Sequence, residues 1–129
     1  MARKKESKLQ TEIQKFLEAR GWLTQNMHGS QFQAGVPDIY SFHPEYQTRW
    51  VEVKVKGRYT FTNAQKHTFP AWTKFGVGIW ILADATTAEY DKLFQPPNWL
   101  EYWKDSWGDP FNQPTPVDIL KGYNDDTSD

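Results

Sequence analysis

The segment 50–56, with the sequence WVEVKVK, places a valine at every second position. Because successive side chains of a β-strand point to opposite faces, this alternation predicts a strand that buries one face against a core. Glu52 and Lys54 then lie side by side on the other face, together with Trp50. An acid and a lysine beside a buried face make this strand the first candidate for a functional site.

Other periodic segments surround this strand. An amphipathic helix is predicted over residues 6–20, ended by Gly21, and a second helix runs from Thr62 towards Phe75. Strands are predicted over residues 22–27, 39–42 and 50–55, and the apolar run 76–83 is typical of a central strand. Tryptophans at positions 99, 103 and 107 predict a further helix over 99–107. The order indicates an α/β domain with a mixed β-sheet flanked by helices.

Length and composition narrow the class of protein. The chain has 129 residues, so we expect a single domain over residues 1–107 and an extended or flexible acidic tail over 108–129. It contains no cysteine, which excludes disulfides and thiolate metal ligands. No apolar run is long enough to cross a bilayer, and the basic start leads into no signal-peptide region. We therefore expect a cytoplasmic protein with no membrane partner.

A hairpin brings a second acid to the strand. If residues 43–47 form a turn centred near Glu45, Asp38 lies opposite Val53 and close to Glu52. The pairing is predicted to within one residue. Two neighbouring carboxylates repel each other unless they share a cation or one of them is protonated. Their oxygen atoms suit Mg²⁺ or Mn²⁺, which polarises a phosphoryl oxygen and activates water. With Lys54 to orient the water or offset charge on a phosphate, these groups fit metal-assisted phosphodiester hydrolysis.

The same residues carry a resemblance to a known family. Gly35-Val-Pro-Asp38, then Glu52-Val-Lys54, then Gln65 in the following helix resemble the PD-(D/E)xK nuclease superfamily. Within it the sequence is most similar to the small VRR-NUC type, which occurs alone in viruses and bacteria or as a domain of larger repair nucleases. The first helix follows the same pattern, with Glu6 early on its amphipathic face. The resemblance spans about residues 6–83.

This resemblance implies a restriction-endonuclease-like core and a set of site residues. Asp38 and Glu52 would bind Mg²⁺ or Mn²⁺, with the backbone carbonyl of Val53 completing the inner shell. Lys54 would be the catalytic lysine, Glu6 would bind a second metal or a metal-bound water, and Gln65 would support the water or the scissile phosphate. The resemblance also implies a homodimer that acts on branched DNA such as four-way (Holliday) junctions, in a bacterial or virus-infected cell.

Several residues keep a second interpretation. Thr62-x-x-Gln65 is also a capping box, Glu12 competes with Glu6 on the same helix, and a loop histidine such as His28 is usually just solvated. Lys56 and Arg58 are candidate DNA phosphate contacts or merely a solvated strand end.

Two other functions also stay open. One is a catalytically silent nucleic-acid-binding or regulatory protein on the nuclease fold. The other is a sequence-specific restriction-type endonuclease, although the chain shows no obvious inserted loop for reading base edges. The net charge of −1 gives the chain no overall attraction for a polyanion. Net charge therefore does not decide among these functions.

Overall fold

The computed structural model describes residues 2–27 and 34–112, with side chains from Lys5 onward. The main elements are helix α1 (Ala2–Glu18), strands β1 (Leu23–Asn26), β2 (Ile39–His43) and β3 (Gln47–Val53), helix α2 (Asn63–Lys74) and strand β4 (Ile79–Leu82). The short helix α3 (Thr87–Tyr90) and 3₁₀ turns at Asp91–Phe94, Trp99–Tyr102, Asp105–Trp107 and Pro110–Asn112 follow. In the described part of the chain, no helix has the length and apolar character needed to cross a bilayer.

The four strands form one mixed sheet in the order β1-β2-β3-β4. Strands β1, β2 and β3 pair antiparallel with one another in that order, whereas β4 runs parallel to β3. A parallel pair needs a long crossover connection, and α2 provides it between β3 and β4. The α/β class and the mixed sheet flanked by helices are therefore confirmed.

The alternation of β3 separates two hydrophobic layers. Val51 and Val53 are buried with Ile13 and Leu17 of α1 on one face of the sheet. On the other face, Phe69 of α2 packs in a cluster of its own, with members Phe61, Phe69, Ile79, Ile81 and Trp99. Glu52 belongs to this second face by its position in the strand. The candidate acid Glu52 therefore lies between the sheet and α2.

The hairpin between β2 and β3 sets the register of the site. Strand β3 begins at Gln47, earlier than predicted, because pairing with His43 starts directly after the turn. It ends at Val53 rather than residue 55. Since Ile39 pairs with Val51, Asp38 lies level with Glu52, one position from the expected Val53. The two acids thus meet where β2 begins and β3 ends.

The position predicted for strand β4 is wrong. All four residues of β4 are buried, as the apolar run predicts, but β4 lies at the edge of the described sheet. Its outer edge is covered by the side chain of Asn98, which accepts from the backbone N–H of Ile81 at 2.6 Å and donates to its carbonyl at 3.0 Å. An edge strand covered in this way reads as a continuous apolar run, just as a central strand does.

The helix predicted over residues 99–107 is also wrong. Two 3₁₀ turns occupy this segment, and Trp103 and Lys104 between them have extended backbones, with ψ angles of 133° and 136°. The tryptophan rings pack in sequence, Trp99 on Trp103 at 6.1 Å and Trp103 on Trp107 at 5.3 Å between centroids. Packing of these large rings overrides a weak local helix propensity.

The expected C-terminal tail begins beside this segment. Its first residues return to the domain, since the ring of Phe111 contacts that of Trp99 at 6.1 Å. The remainder, from residue 113 onward, lies outside the described residues.

Candidate functional site

A cleft of about 1030 Å³ opens at the end of the sheet where the two acids meet. It is lined by helix α1, the end of β1, the β2–β3 strand ends, the loop that leads into α2, and the first turn of α2. Its lining includes Glu6, Gln10, Asn26, Asp38, Glu52, Lys54, Arg58, Tyr59, Thr60 and Gln65. The residues predicted from two distant motifs therefore share one cavity.

Asp38 and Glu52 are linked through the backbone of the facing strand. The N–H of Asp38 donates to Oε1 of Glu52 at 3.2 Å, and the N–H of Val53 donates to Oδ2 of Asp38 at 2.8 Å. Both side chains are buried, with exposed fractions of 5% for Asp38 and 1% for Glu52. These reciprocal hydrogen bonds fix the direction of both carboxylates. The backbone of Val53 lies beside the acids, as the resemblance requires of a carbonyl ligand.

Gly35 allows the turn before Asp38 to lie against helix α2. It has a φ of +84°, and a Cβ atom there would come within 2.5 Å of Thr68 Oγ1 and 2.9 Å of the Ala64 carbonyl. Only glycine combines this backbone angle with so close an approach. The glycine of the G-x-PD motif thus brings the Asp38 segment and α2 together.

Lys54 is held by three acceptors. Its Nζ lies 2.9 Å from Oε2 of Glu52, 2.9 Å from the Thr60 carbonyl and 3.1 Å from Oε1 of Gln65. An ammonium has three donors, so each has an acceptor, and the charge is fixed beside the acids although the side chain is only 7% exposed. The ion pair is buried and not an exposed pair on an ordinary strand.

Gln65 combines the two interpretations that the sequence left open. The predicted capping box is present, with Thr62 Oγ1 accepting from the Gln65 N–H at 3.1 Å and Gln65 Oε1 accepting from the Thr62 N–H at 3.0 Å. The same side chain donates through Nε2 to Oε2 of Glu52 at 2.7 Å and accepts from Lys54. The third residue of helix α2 therefore both caps the helix and orients the charged pair.

Burial changes the acidity of the two carboxyl groups. Removal from solvent raises the pKa of Asp38 to about 6, and the negative charge of Glu6 adds to this rise against an opposing hydrogen bond from Val53. Removal from solvent raises the pKa of Glu52 to about 8, with further repulsion from Asp38 and partial compensation by Lys54. The single lysine does not balance the acids, and a bound cation would relieve their repulsion.

The structure favours Glu6 over Glu12 as the third acid. One carboxylate oxygen from each of Glu6, Asp38 and Glu52 lies within 4.8 Å of the others, whereas Glu12 is exposed and lines no part of the cleft. Three carboxylates that converge in a half-enclosed cleft form an all-oxygen donor set. Such a set fits a hard divalent cation such as Mg²⁺ or Mn²⁺, so these residues could hold one.

The remaining predicted residues divide into three groups. Arg58 lines the cleft, whereas Lys56 is exposed and does not line it. His28 lies outside the described residues.

Sequence reasoning missed several cleft residues, among them Gln10, Asn26 and Thr60. Gln10 follows Glu6 by one helical turn, and that spacing is a usable signal. Asn26, which donates to Gln10 Oε1 at 3.4 Å, and the Thr60 carbonyl depend on tertiary contacts, which leave no local pattern.

Comparison with known proteins supports the fold. No family model matches the sequence, and no curated protein is significantly similar to it. Among solved structures, one described as "VRR_NUC domain" matches with a TM-score of 0.57 and 20% sequence identity, over 70% of this chain and 96% of that chain. The chain therefore has the fold of a VRR_NUC domain, as its motifs predict. The rest of this chain has no counterpart in that structure.

Proposed function

We propose that this chain, which has the fold of a VRR_NUC domain, is a divalent-metal-dependent nuclease that hydrolyses phosphodiester bonds in DNA. The observation that carries the proposal is the convergence of Glu6, Asp38 and Glu52 within 4.8 Å, with the Lys54 ammonium 2.9 Å from Glu52. Neither a structural ion pair nor a plain binding surface accounts for three acids gathered beside one lysine in a cleft.

Each residue has a separate role in this proposal. Glu6, Asp38 and Glu52 hold Mg²⁺ or Mn²⁺, with the Val53 carbonyl as a further ligand. When bound, the ion polarises the phosphodiester and makes water a better nucleophile. Lys54 offsets the negative charge that develops on the phosphate. Because its three acceptors already hold the ammonium in place, the side chain need not reorganise during the reaction.

Two residues complete the site. Gln65 orients Glu52 and Lys54, and Arg58 at the cleft provides a contact for the substrate backbone. Lys56, exposed on the same loop, is a second and more peripheral phosphate contact.

For the shape of the substrate we propose branched DNA, including four-way junctions, cut by a homodimer. The support is the resemblance to stand-alone members of the VRR-NUC type, and a two-fold dimer suits a symmetric junction. Light scattering at working concentrations is expected to give twice the chain mass of 15.2 kDa. A monomer mass would remove the argument for junction resolution and leave the nuclease proposal standing.

A cleavage assay tests the proposal directly. Labelled duplex, flap and four-way DNA are incubated with the protein and Mg²⁺, Mn²⁺ or EDTA. Glu6→Gln and Glu12→Gln form a matched pair, because both remove one acid from the same helix but only Glu6 lies in the cleft. We expect metal-dependent products from the wild-type protein and from Glu12→Gln, with strong loss in Glu6→Gln and Lys54→Met. Tight binding with no product under any metal would instead identify a silent DNA-binding protein.

A further inference from the structure

Two lysines from distant parts of the chain lie over one tryptophan beside the cleft. Nζ of Lys66, in helix α2, lies 4.8 Å from the ring centroid of Trp107. Nζ of Lys104 lies 5.6 Å from the same ring and 4.8 Å from the ring of Tyr59. We call Lys66, Lys104 and Trp107 the lysine ridge. The aromatic rings restrict where its two ammonium groups can lie.

The lysine ridge is continuous with the cleft. Nζ of Lys104 donates to the carbonyl of Tyr59 at 3.1 Å, and Tyr59 and Arg58 both line the cavity. Beneath this surface, the buried ring of Phe61 lies 5.1 Å from Nζ of Lys54 and 5.1 Å from the ring of Trp107. A polyanion seated at the acid cluster can therefore extend directly onto the lysine ridge.

The charges of the lysine ridge are available to a ligand. Among the described residues, no carboxylate forms an ion pair within 4.0 Å of Lys66 or Lys104. Lys104 is exposed and uses one of its three donors on Tyr59. Lys66 is half-buried, and its ammonium makes no hydrogen bond within the described part of the chain.

We propose that the lysine ridge binds the phosphate backbone of the nucleic acid whose scissile bond lies at Glu6, Asp38 and Glu52. This inference rests on the proposed nuclease function and adds a second region of substrate contact. It also gives a role to the segment around Trp107, which lies beyond the motifs shared with the VRR-NUC type.

The dimensions of the lysine ridge agree with a short run of nucleotides. Three successive contacts lead from Nζ of Lys54 to the rings of Phe61 and Trp107 and then to Nζ of Lys66, with distances of 5.1, 5.1 and 4.8 Å. The two ammonium groups are therefore at most about 15 Å apart. This equals the rise of roughly four nucleotides, at about 3.4 Å per phosphate of one strand. Lys66 therefore lies within reach of backbone phosphates up to about four nucleotides from the scissile bond.

Salt-dependent binding measures this contact. Fluorescence anisotropy of a fluorescein-labelled DNA duplex of about 20 base pairs, in EDTA to prevent cleavage, gives the dependence of log K on log salt, with a slope of about −0.9 per neutralised phosphate. In the double variant Lys66→Gln/Lys104→Gln, the slope is expected to become shallower by about 1.8. The affinity at about 0.1 M salt should fall at least about tenfold. Circular dichroism confirms that each variant is folded.

Two controls separate a phosphate contact from a structural role. Lys66→Arg/Lys104→Arg keeps both charges and should retain the wild-type slope. Lys15→Gln removes one exposed charge from α1, which packs on the opposite face of the sheet from α2, and should change the slope little. A Gln double variant with the slope of Lys15→Gln would overturn the proposal, as would loss of the slope in the Arg double variant.

The two proposals fail separately. If the wild-type protein cleaves DNA but the Gln double variant binds it with an unchanged slope, the lysine ridge is not a substrate contact and the nuclease function stands. If the slope depends on the lysine ridge but no metal yields product, the lysine ridge stands as a DNA contact and the nuclease function is wrong.

Discussion

The side-chain amide of Gln65 donates to Oε2 of Glu52 at 2.7 Å, so the first turn of helix α2 is joined to the buried acid of strand β3. Through Oε1 the same amide accepts from the backbone of Thr62 and from Lys54. Helix capping and orientation of the charged pair are therefore coupled in one side chain. A change at residue 65 affects both, whereas a change at residue 62 removes only one hydrogen bond of the cap.

Gln65→Ala and Thr62→Ala separate these two effects. Thr62→Ala is expected to lower the free energy of unfolding by about 1 kcal/mol, the usual value of an N-cap. Gln65→Ala should cost about 2–3 kcal/mol, because it also removes one buried hydrogen-bond partner from each of Glu52 and Lys54. Urea unfolding measures both. Cleavage should fall at least about tenfold more in Gln65→Ala than in Thr62→Ala, and equal losses of kcat would show that residue 65 acts only as a cap.

Asp38→Asn should stabilise the metal-free protein while abolishing cleavage. Burial raises the pKa of Asp38 from 3.8 to about 6, so the folded protein binds this proton more tightly than the unfolded chain. The contribution of Asp38 to stability is therefore present below about pH 4 and is lost as the pH rises through about 6. Asparagine keeps the acceptor for the Val53 N–H without the charge.

The expected gain for Asp38→Asn at about pH 8 in EDTA is on the order of 1–3 kcal/mol. Thermal unfolding at about pH 8 and about pH 5 measures it, and the difference from wild type should shrink at the lower pH, where the folded protein is largely protonated at Asp38. Glu12→Gln should behave as wild type at both pH values. A destabilised Asp38→Asn at high pH would mean that burial does not raise the pKa of Asp38.

Divalent metal should stabilise the wild-type protein in a pH-dependent way. Protons compete with the cation for carboxylates whose pKa values are raised to about 6 for Asp38 and about 8 for Glu52. Mn²⁺ is therefore expected to raise the Tm more at about pH 8 than at about pH 5.5. Glu6→Gln should weaken the apparent affinity at least about tenfold, and Glu12→Gln should not. Equal Tm shifts for these two variants would place the ion elsewhere.

Gly35→Ala tests the link between the G-x-PD segment and helix α2. Alanine there adds strain at a φ of +84° and a clash with Thr68 and the Ala64 backbone. Gly57 is a matched control, because its φ is +78° but no atom lies within 4 Å of an added Cβ. We expect Gly57→Ala to cost about 1 kcal/mol from backbone strain alone, and Gly35→Ala to cost at least about 1–3 kcal/mol more with a marked loss of cleavage. Urea unfolding and kcat compare the two, and similar losses would argue against the close approach.

The acid site was predictable because its residues follow local rules. Alternation along β3 places Glu52 and Lys54 on one face. The short hairpin predicts the partner of Asp38 on β3 to within one residue. Thr62-x-x-Gln65 is a capping box. Each of these signals lies within one continuous stretch of the chain, at most fifteen positions from end to end. The resemblance to the VRR-NUC type then favoured Glu6 over Glu12, a choice that helix periodicity alone did not make.

The C-terminal part of the domain was not predictable for the opposite reason. Ile81 and Asn98 are seventeen positions apart, and the Lys66–Trp107 and Lys104–Tyr59 contacts join segments still further apart. Such contacts leave no periodicity in either segment. The tryptophans at every fourth position suggested a helix, but their rings instead pack edge to face along a backbone that is extended at Trp103 and Lys104.

Asn98→Ala tests whether the segment after β4 protects the edge of the sheet. Asn98 is 8% exposed, and its amide satisfies both backbone groups of Ile81. Its removal should cost about 2–3 kcal/mol from two buried groups left without partners, measured by urea unfolding. It should also promote concentration-dependent association, because an uncovered strand edge pairs with other chains.

Asn63→Ala is the control, since it removes an exposed amide at the start of α2 and should change neither stability nor association. Because β3 and β4 pair directly beside Glu52, loosening of β4 should also lower cleavage. An Asn98→Ala protein as stable and as monodisperse as Asn63→Ala would show that the sheet edge needs no cover.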